Sequence, residues 1–373
     1  MKAFFKNLKK RDWILIAIFV LCLISYGIIT LVSESRIEKL YDQQAGKAWI
    51  PEGNSGAMVS LFVSEDAKID YMKFGSLKKT ISKDIVSSKG IDPSTIDPAD
   101  PFPGGFTGCY SAQGQISLEA GDVKADNLSA IGVGGDFFLF HPIELATGGY
   151  FYEDDIMKDG LVLDSYTAFR LFGSFDIIGQ KVMIKGNPFY VRGVYIVDES
   201  RVSQYAGSAG GFLFMDYEAL AKLGSVGSIT CLEFVGEDIY DEYFYQLLSD
   251  NTKTHLDEKM VDVVDNTHRF DLAHRWTVLT DGDARVMKKN NIVYPYWENI
   301  ARAYENRMAG ALVAQIILLM IPSIILIGFL IHIFKHRKWS FKSIEKRIGS
   351  GFESAAGHIK HNDDKGQNKW KDF

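Results

Sequence analysis

Two long runs without a charged side chain decide what this chain can fold into. The first is Trp13–Ser33, WILIAIFVLCLISYGIITLVS, 21 residues. The second is Ala309–Phe334, AGALVAQIILLMIPSIILIGFLIHIF, which also lacks Lys, Arg, Asp and Glu. At 1.5 Å per residue, about 20 apolar residues cross the hydrocarbon core of a bilayer. Each run therefore reads as a membrane-crossing helix. The rival for the first run is a cleaved signal peptide. That would have an apolar region of about 7–15 residues and a small-residue cleavage site, whereas here bulky aliphatic residues continue to Val32. In the second run Pro322 removes a helical hydrogen bond and can kink the span. Gln315 reads as a helix–helix contact, and His332 as interfacial.

Basic flanks set the orientation. Lys2, Lys6, Lys9, Lys10 and Arg11 precede the first run. Lys335, Arg337, Lys338, Lys342, Lys346 and Arg347 follow the second. The expected organisation is a cytoplasmic N-terminus at 1–12, a span at 13–33, an extracytoplasmic domain at 34–308, a span at 309–334 and a cytoplasmic tail at 335–373. The whole chain carries −6. Its basic ends hold +4 and +5, so the middle holds −15. An acidic exterior excludes nucleic acid as a partner. It would attract cationic peptides, or serve simply as a solvated surface. With 47% apolar and 24% charged residues the chain is not a disordered one.

The exterior segment mixes strand-like and helix-like stretches without clean alternation, which predicts an α+β domain. Strands are expected at MVSLFV (58–63), LSAIGVG (128–134), TCLEFV (230–235) and HRWTVLT (274–280), and helices within 64–82 and after 235. Residues 91–107 hold four prolines and two glycines and read as a loop. Residues 34–48 and 284–308 read as helical extensions of the two spans, either as a stalk or as ordinary connecting helices. Cys109 and Cys231 lie in this segment, where a disulfide can persist. They read either as a bridge or as two separate buried thiols.

Residues 129–196 are the most informative. Phe137 and Phe138 precede a helical turn, and Gly148, Gly149 and Phe151 form a turn before Asp154 and Asp155. LVLD (161–164) reads as a strand and SYTAFRLFG as a short helix closed by Gly173. DIIGQKVMIKG and FYVRGVYI read as two strands joined at Gly186-Asn187-Pro188. The order Phe-Phe, Gly-Gly-Tyr-Phe (148–151), Ala-Phe-Arg-Leu-Phe-Gly (168–173), Asp-Ile-Ile-Gly-Gln-Lys-Val (176–182) and Phe-Tyr-Val-Arg-Gly-Val (189–194) resembles the MacB-like periplasmic core domain of FtsX-like ABC transporter permeases. Gly149 stands where that family commonly has arginine, and Ile177 where it has proline.

The resemblance implies an exterior domain with a porter-like part and a small inserted α/β part, between two transmembrane helices in a bacterial plasma membrane. It implies a permease-type subunit that couples a separate ABC ATPase to export or to an envelope event, with a second permease or self-association completing the assembly. Family permeases usually have four membrane helices, and here one follows the exterior domain. The alternative is therefore a non-transporting two-span scaffold or regulator whose exterior domain binds a protein partner. A polysaccharide chain-length regulator shares the two-span layout but usually has a long helical exterior.

No enzymatic activity is expected. There is no G-x-x-x-x-G-K-[ST] segment for ATP, and GVGGDFF (132–138) reads as a turn. There is no H-E-x-x-H and no cysteine pair at metal spacing. His268, Asp271 and His274 read as a solvated loop rather than a metal site, and Ser76 to Lys79 lacks the supporting motifs of a Ser-Lys hydrolase. No catalytic, cofactor or metal residue is assigned. In the tail, Lys338, Trp339, Phe341, Ile344 and Ile348 lie within a basic amphipathic stretch. It reads either as a helix on anionic lipid or as a docking helix for a cytoplasmic ATPase.

Overall fold

The computed structural model describes residues 10–49, 55–97, 99–100, 102–280, 288–289 and 291–336. The chain divides into two units, one of residues 1–30 with 314–373 and one of residues 31–313. The elements run α1 Lys10–Ile37, α2 Ala45–Trp49, β1 Gly56–Val63, α3 Tyr71–Ser88, β2 Phe106–Ala120 and β3 Val123–Gly135. They continue as α4 Phe137–Phe140, β4 Leu145–Gly148, β5 Gly160–Asp164, α5 Ser165–Phe172, β6 Lys181–Ile184 and β7 Asn187–Tyr195. Then come α6 Arg201–Ala206, β8 Leu213–Asp216, α7 Tyr217–Leu223, β9 Ser225–Val226, β10 Cys231–Glu237, α8 Tyr243–His255, β11 Val261–Asp265 and α9 Leu272–Thr280. A two-residue hairpin of β12 Lys288–Lys289 and β13 Ile292–Val293 precedes α10 Tyr296–His336.

Among the described residues, α1 and α10 are the helices long and apolar enough to cross a membrane. In the first unit, Gln315 Nε2 donates to Thr30 Oγ1 at 2.9 Å, the interhelical contact expected of it. Pro322 lies within α10 without ending it.

The second unit is built on one mixed sheet of eleven strands. Its main path is β11-β1-β10-β2-β3-β8-β5-β7-β4, with β6 and β9 paired off that path. Strand period decides its layers. On β1, Val59, Leu61 and Val63 point into a cluster with Phe74, Ile81 and Ile85 of α3 and Phe244 and Leu248 of α8. Met58 and Phe62, one residue out of step, point to the opposite face against Phe137, Phe214 and Trp297. A third cluster, with Leu161, Leu163, Ala168, Leu171 and Val191, closes the far part of the sheet under α5. Helix α5 begins at Asp164, whose carboxylate accepts from Thr167 N at 2.8 Å, and ends at Gly173 with φ +67°, a left-handed position that favours glycine.

The α+β architecture expected from the sequence is present. The strands expected around 58–63, 128–134, 161–164 and 230–235 are β1, β3, β5 and β10. Four local expectations are corrected. HRWTVLT is not a strand but lies in α9. Its β-prone residues stay half or fully exposed, and Thr277 and Thr280 satisfy their hydroxyls on the carbonyls of Ala273 and Trp276. The turn between β6 and β7 falls on Lys185 and Gly186, at φ +46° and +82°, as a two-residue hairpin demands. Asn187 and Pro188 already belong to β7, and Pro188 opposes Met183. Phe137 and Phe138 start the helical turn rather than precede it, and Gly132 to Gly135 belong to β3. The extension of the first span ends at Ile37, followed by a short 3-10 turn at Tyr41–Gln43, whereas Tyr296 to Met308 is continuous with the second apolar run.

One close approach fixes the β2–β3 pairing. Gly134 faces Tyr110 across the two strands. The Tyr110 ring, 4.7 Å from Phe74 and 5.8 Å from Tyr217, covers the space where a Gly134 side chain would go. Gly134→Ala should therefore destabilise the protein by about 1–3 kcal/mol, the cost of overpacking. Thermal unfolding by circular dichroism reads this. A melting point equal to wild type would show that the sheet opens to admit the methyl.

Candidate functional site

The face of the sheet that carries Met58 and Phe62 also carries a line of polar side chains. Period 2 puts Ser60 there on β1, Glu233 with Cys231 on β10, and Cys109 on β2. Ser60 and Glu233 are directly opposite in the β1–β10 register. The Ser60 hydroxyl donates to Glu233 Oε1 at 2.7 Å, and it accepts from Asn266 Nδ2 at 2.6 Å. Both are essentially solvent-free, as are His141, Arg269, Glu298 and Glu305. Burying such groups is costly unless each is paired.

His141, which follows α4, makes the first pairing. Its Nε2 hydrogen-bonds Glu233 Oε2, and its Nδ1 hydrogen-bonds Asp42 Oδ1 at 2.9 Å. Burial works against a charged ring, but the Glu233 and Asp42 carboxylates outweigh it and raise its pKa to about 9. His141 is thus an imidazolium at neutral pH, donating through both nitrogens. Trp297 packs on the ring at 4.4 Å.

Arg269 makes the second. It forms a fork on Glu298, with both bonds at 2.6 Å, and donates through Nε to Glu305 Oε1 at 2.8 Å. It also reaches Asn266 Oδ1 at 3.0 Å and Gln43 Oε1 at 3.1 Å. Arg302 donates to Glu298 Oε1 at 2.5 Å and to Asp262 at 3.2 Å, and its guanidinium lies 3.5 Å from the Tyr294 ring centroid. The bonds run unbroken from Asp42 through His141, Glu233, Ser60, Asn266 and Arg269 to Glu298 and Glu305. They connect the segment after α1, two sheet strands and the first three turns of α10.

Most of this was missed in the sequence, although signals exist. Glu233 interrupts the apolar strand CLEFV, and Ser60 interrupts MVSLFV. Glu298, Arg302 and Glu305 stand at i, i+4 and i+7, one face of a helix. Asp42 and His141 have no local signature, because their role depends on contacts 99 and 92 residues away.

Of the residues singled out in the sequence, Cys109 and Cys231 are not bridged; both are free and fully buried. The register explains it. Cys109 faces Glu233 and Cys231 faces Ser111, so the cysteines are diagonal neighbours. Diagonal positions lie about 7–8 Å apart, beyond the reach of a disulfide. Burial and the Glu233 charge push both thiols well above the usual range. His268 pairs with Asp271 at 2.9 Å, while His274 turns away to Glu305 at 3.2 Å, so the His268, Asp271 and His274 triplet does not converge. Lys338, Trp339, Phe341, Ile344 and Ile348 lie outside the described residues.

Removing Arg269 would leave Glu298 and Glu305 buried with too little positive charge. Arg269→Met should cost about 3–5 kcal/mol, the range for breaking a buried pair. Arg302→Met, whose partner Asp262 is partly exposed, should cost less. Denaturant unfolding followed by tryptophan fluorescence compares them; equal, small shifts would mean that the Arg269 fork adds nothing.

Residues 81–251 match the family model of the MacB-like periplasmic core domain. No curated protein matches the chain. Among solved structures, the periplasmic region of MacB from Actinobacillus actinomycetemcomitans is similar at 16% identity and a TM-score of 0.37, covering 61% of this chain and 94% of that one. The extracellular domain of the noncanonic ABC-type transporter YknZ from Gram-positive bacteria is similar at 15% identity and a TM-score of 0.36, covering 56% of this chain and 99% of that one. The family match runs from within α3 to within α8 and includes β2, β10 and the Cys109, His141 and Glu233 side chains.

Proposed function

We propose that this chain is the membrane subunit of an ABC-transporter-type permease, driven by a separate ATPase and passing that movement to an extracytoplasmic event. The observation that carries the proposal is the combination of a MacB-like core domain with flanking apolar helices on both sides. The chain itself is assigned no covalent chemistry. Its apolar helices sit in a bacterial plasma membrane, with the basic ends on the cytoplasmic side against anionic lipid and the acidic domain outside. A second permease chain, or a second copy of this one, completes the assembly.

The buried polar chain supports a coupling role. It ties the residues that follow α1 to those that open α10 through two strands of the sheet. A displacement of either segment would therefore have to break or drag charged groups inside the domain, where unpaired charges are costly. Such an arrangement favours concerted movement over independent sliding.

Purification of the full-length chain from mild detergent, with mass spectrometry of what accompanies it, tests the proposal. A stoichiometric ABC ATPase is expected, and replacing Trp339 and Phe341 with alanine should abolish its association while membrane insertion persists. Absence of any ATPase, with a specific extracytoplasmic protein in its place, would overturn the permease reading in favour of a scaffold.

A further inference from the structure

The polar chain contains a juxtaposition that ion pairing does not require. The donor atoms of Cys109, His141 and Glu233 all lie within 4.8 Å of one another. They come from three elements, β2, the residue after α4, and β10, and each residue is buried to within 1%. Their chemistry is thiol, imidazole and carboxylate, the set that binds zinc. Cys231 stands two residues from Glu233 on the same strand face and is equally enclosed, at 2% exposure.

The surroundings are those of a metal site's outer shell. A metal-bound histidine almost always has its other nitrogen held by a carboxylate or carbonyl. His141 Nδ1 is held by Asp42 Oδ1 at 2.9 Å, which leaves Nε2 aimed at Glu233 and the cysteine. The second oxygen of Glu233 is held by Ser60 at 2.7 Å. Zinc–nitrogen bonds of about 2.0 Å and zinc–sulfur bonds of about 2.3 Å put tetrahedral donors about 3.5 Å apart. Separations below 4.8 Å reach that by side-chain movements on the order of 1 Å.

We propose that Cys109, His141 and Glu233, with Cys231 in the fourth position, form a structural site for a divalent zinc-like cation. Binding replaces the hydrogen bond between His141 and Glu233 with a metal bridge. Zinc takes cysteine as thiolate, so the thiol protons of Cys109 and Cys231 and the His141 Nε2 proton leave as the dication enters. Two positive charges then replace three, and the extra negative charge is shared by the two metal-bound sulfurs. Asp42 is a positioning residue, acting through the ring it orients. The site clamps two adjacent strands to the segment that follows α1.

The test uses untagged full-length protein in detergent, stripped with a chelator and then titrated with Zn²⁺ or Co²⁺. One equivalent of zinc should be retained after desalting, measured by elemental analysis on the wild-type chain, so that no variant need fold for this first result. The cobalt form should show a thiolate-to-cobalt charge-transfer band, lost or strongly reduced in Cys109→Ser and reduced in Cys231→Ser. Asp42→Asn should weaken zinc about 10–100-fold, as second-shell changes do, while the band remains at saturating cobalt. Folded wild-type protein that retains no stoichiometric zinc would overturn the proposal, as would a cobalt band of full intensity in Cys109→Ser. A band unchanged in Cys231→Ser would overturn the fourth position. None of these readouts depends on an ATPase being present.

Discussion

The fork between Arg269 and Glu298 is the interaction around which the second unit is organised. Both groups are excluded from water, and either would be costly to bury there without the other. Arg269 gathers Gln43, Asn266, Glu298 and Glu305 onto one guanidinium, using the planar donor geometry that a lysine lacks. Its partners come from the segment after α1, from the loop after β11, and from two turns of α10. A hydrophobic cluster of the same volume would hold these pieces together with little preference for their alignment. A guanidinium with fixed donor directions accepts few alternatives.

The two faces of the sheet do different work. Helices α3 and α8 cover one face with ordinary aliphatic and aromatic packing, where burial supplies stability and shape tolerance is wide. The other face places Trp297, Phe137 and Phe214 around a polar seam. The aromatic groups exclude water from the seam and so strengthen the electrostatics inside it. Stability is thus concentrated on one side and alignment on the other, and the segments leading to the apolar helices are attached to the aligning side.

How much of this could be read in the sequence follows from range. The apolar runs, the strands around 58–63, 128–134 and 230–235, the α5 helix with Gly173 and the MacB-like resemblance rest on local pattern. HRWTVLT misled because its branched and aromatic residues have strand propensity, while the chain there forms a helix that leaves them half or fully exposed; propensity yields to context in such cases. Asp42, His141 and Arg269 were illegible because each acquires meaning only from a partner in a distant segment. The cysteines show the same limit: a shared compartment left a bridge and two separate thiols both open, and only the register of β2 against β10 shows them to be diagonal.

That register has a consequence of its own. On β1, Ser60 lies between Val59 and Leu61, and the sheet has opposite uses for its two sides. A slip of β1 by one residue against β10 would turn the hydroxyl into the aliphatic layer under α3 and α8. It would also set a leucine against the Glu233 carboxylate. The polar seam therefore works as a key cut into the strand. It penalises every misaligned pairing of β1 far more than an all-aliphatic strand would, so β1, which joins the sheet between β10 and β11, has one position in which it can lock.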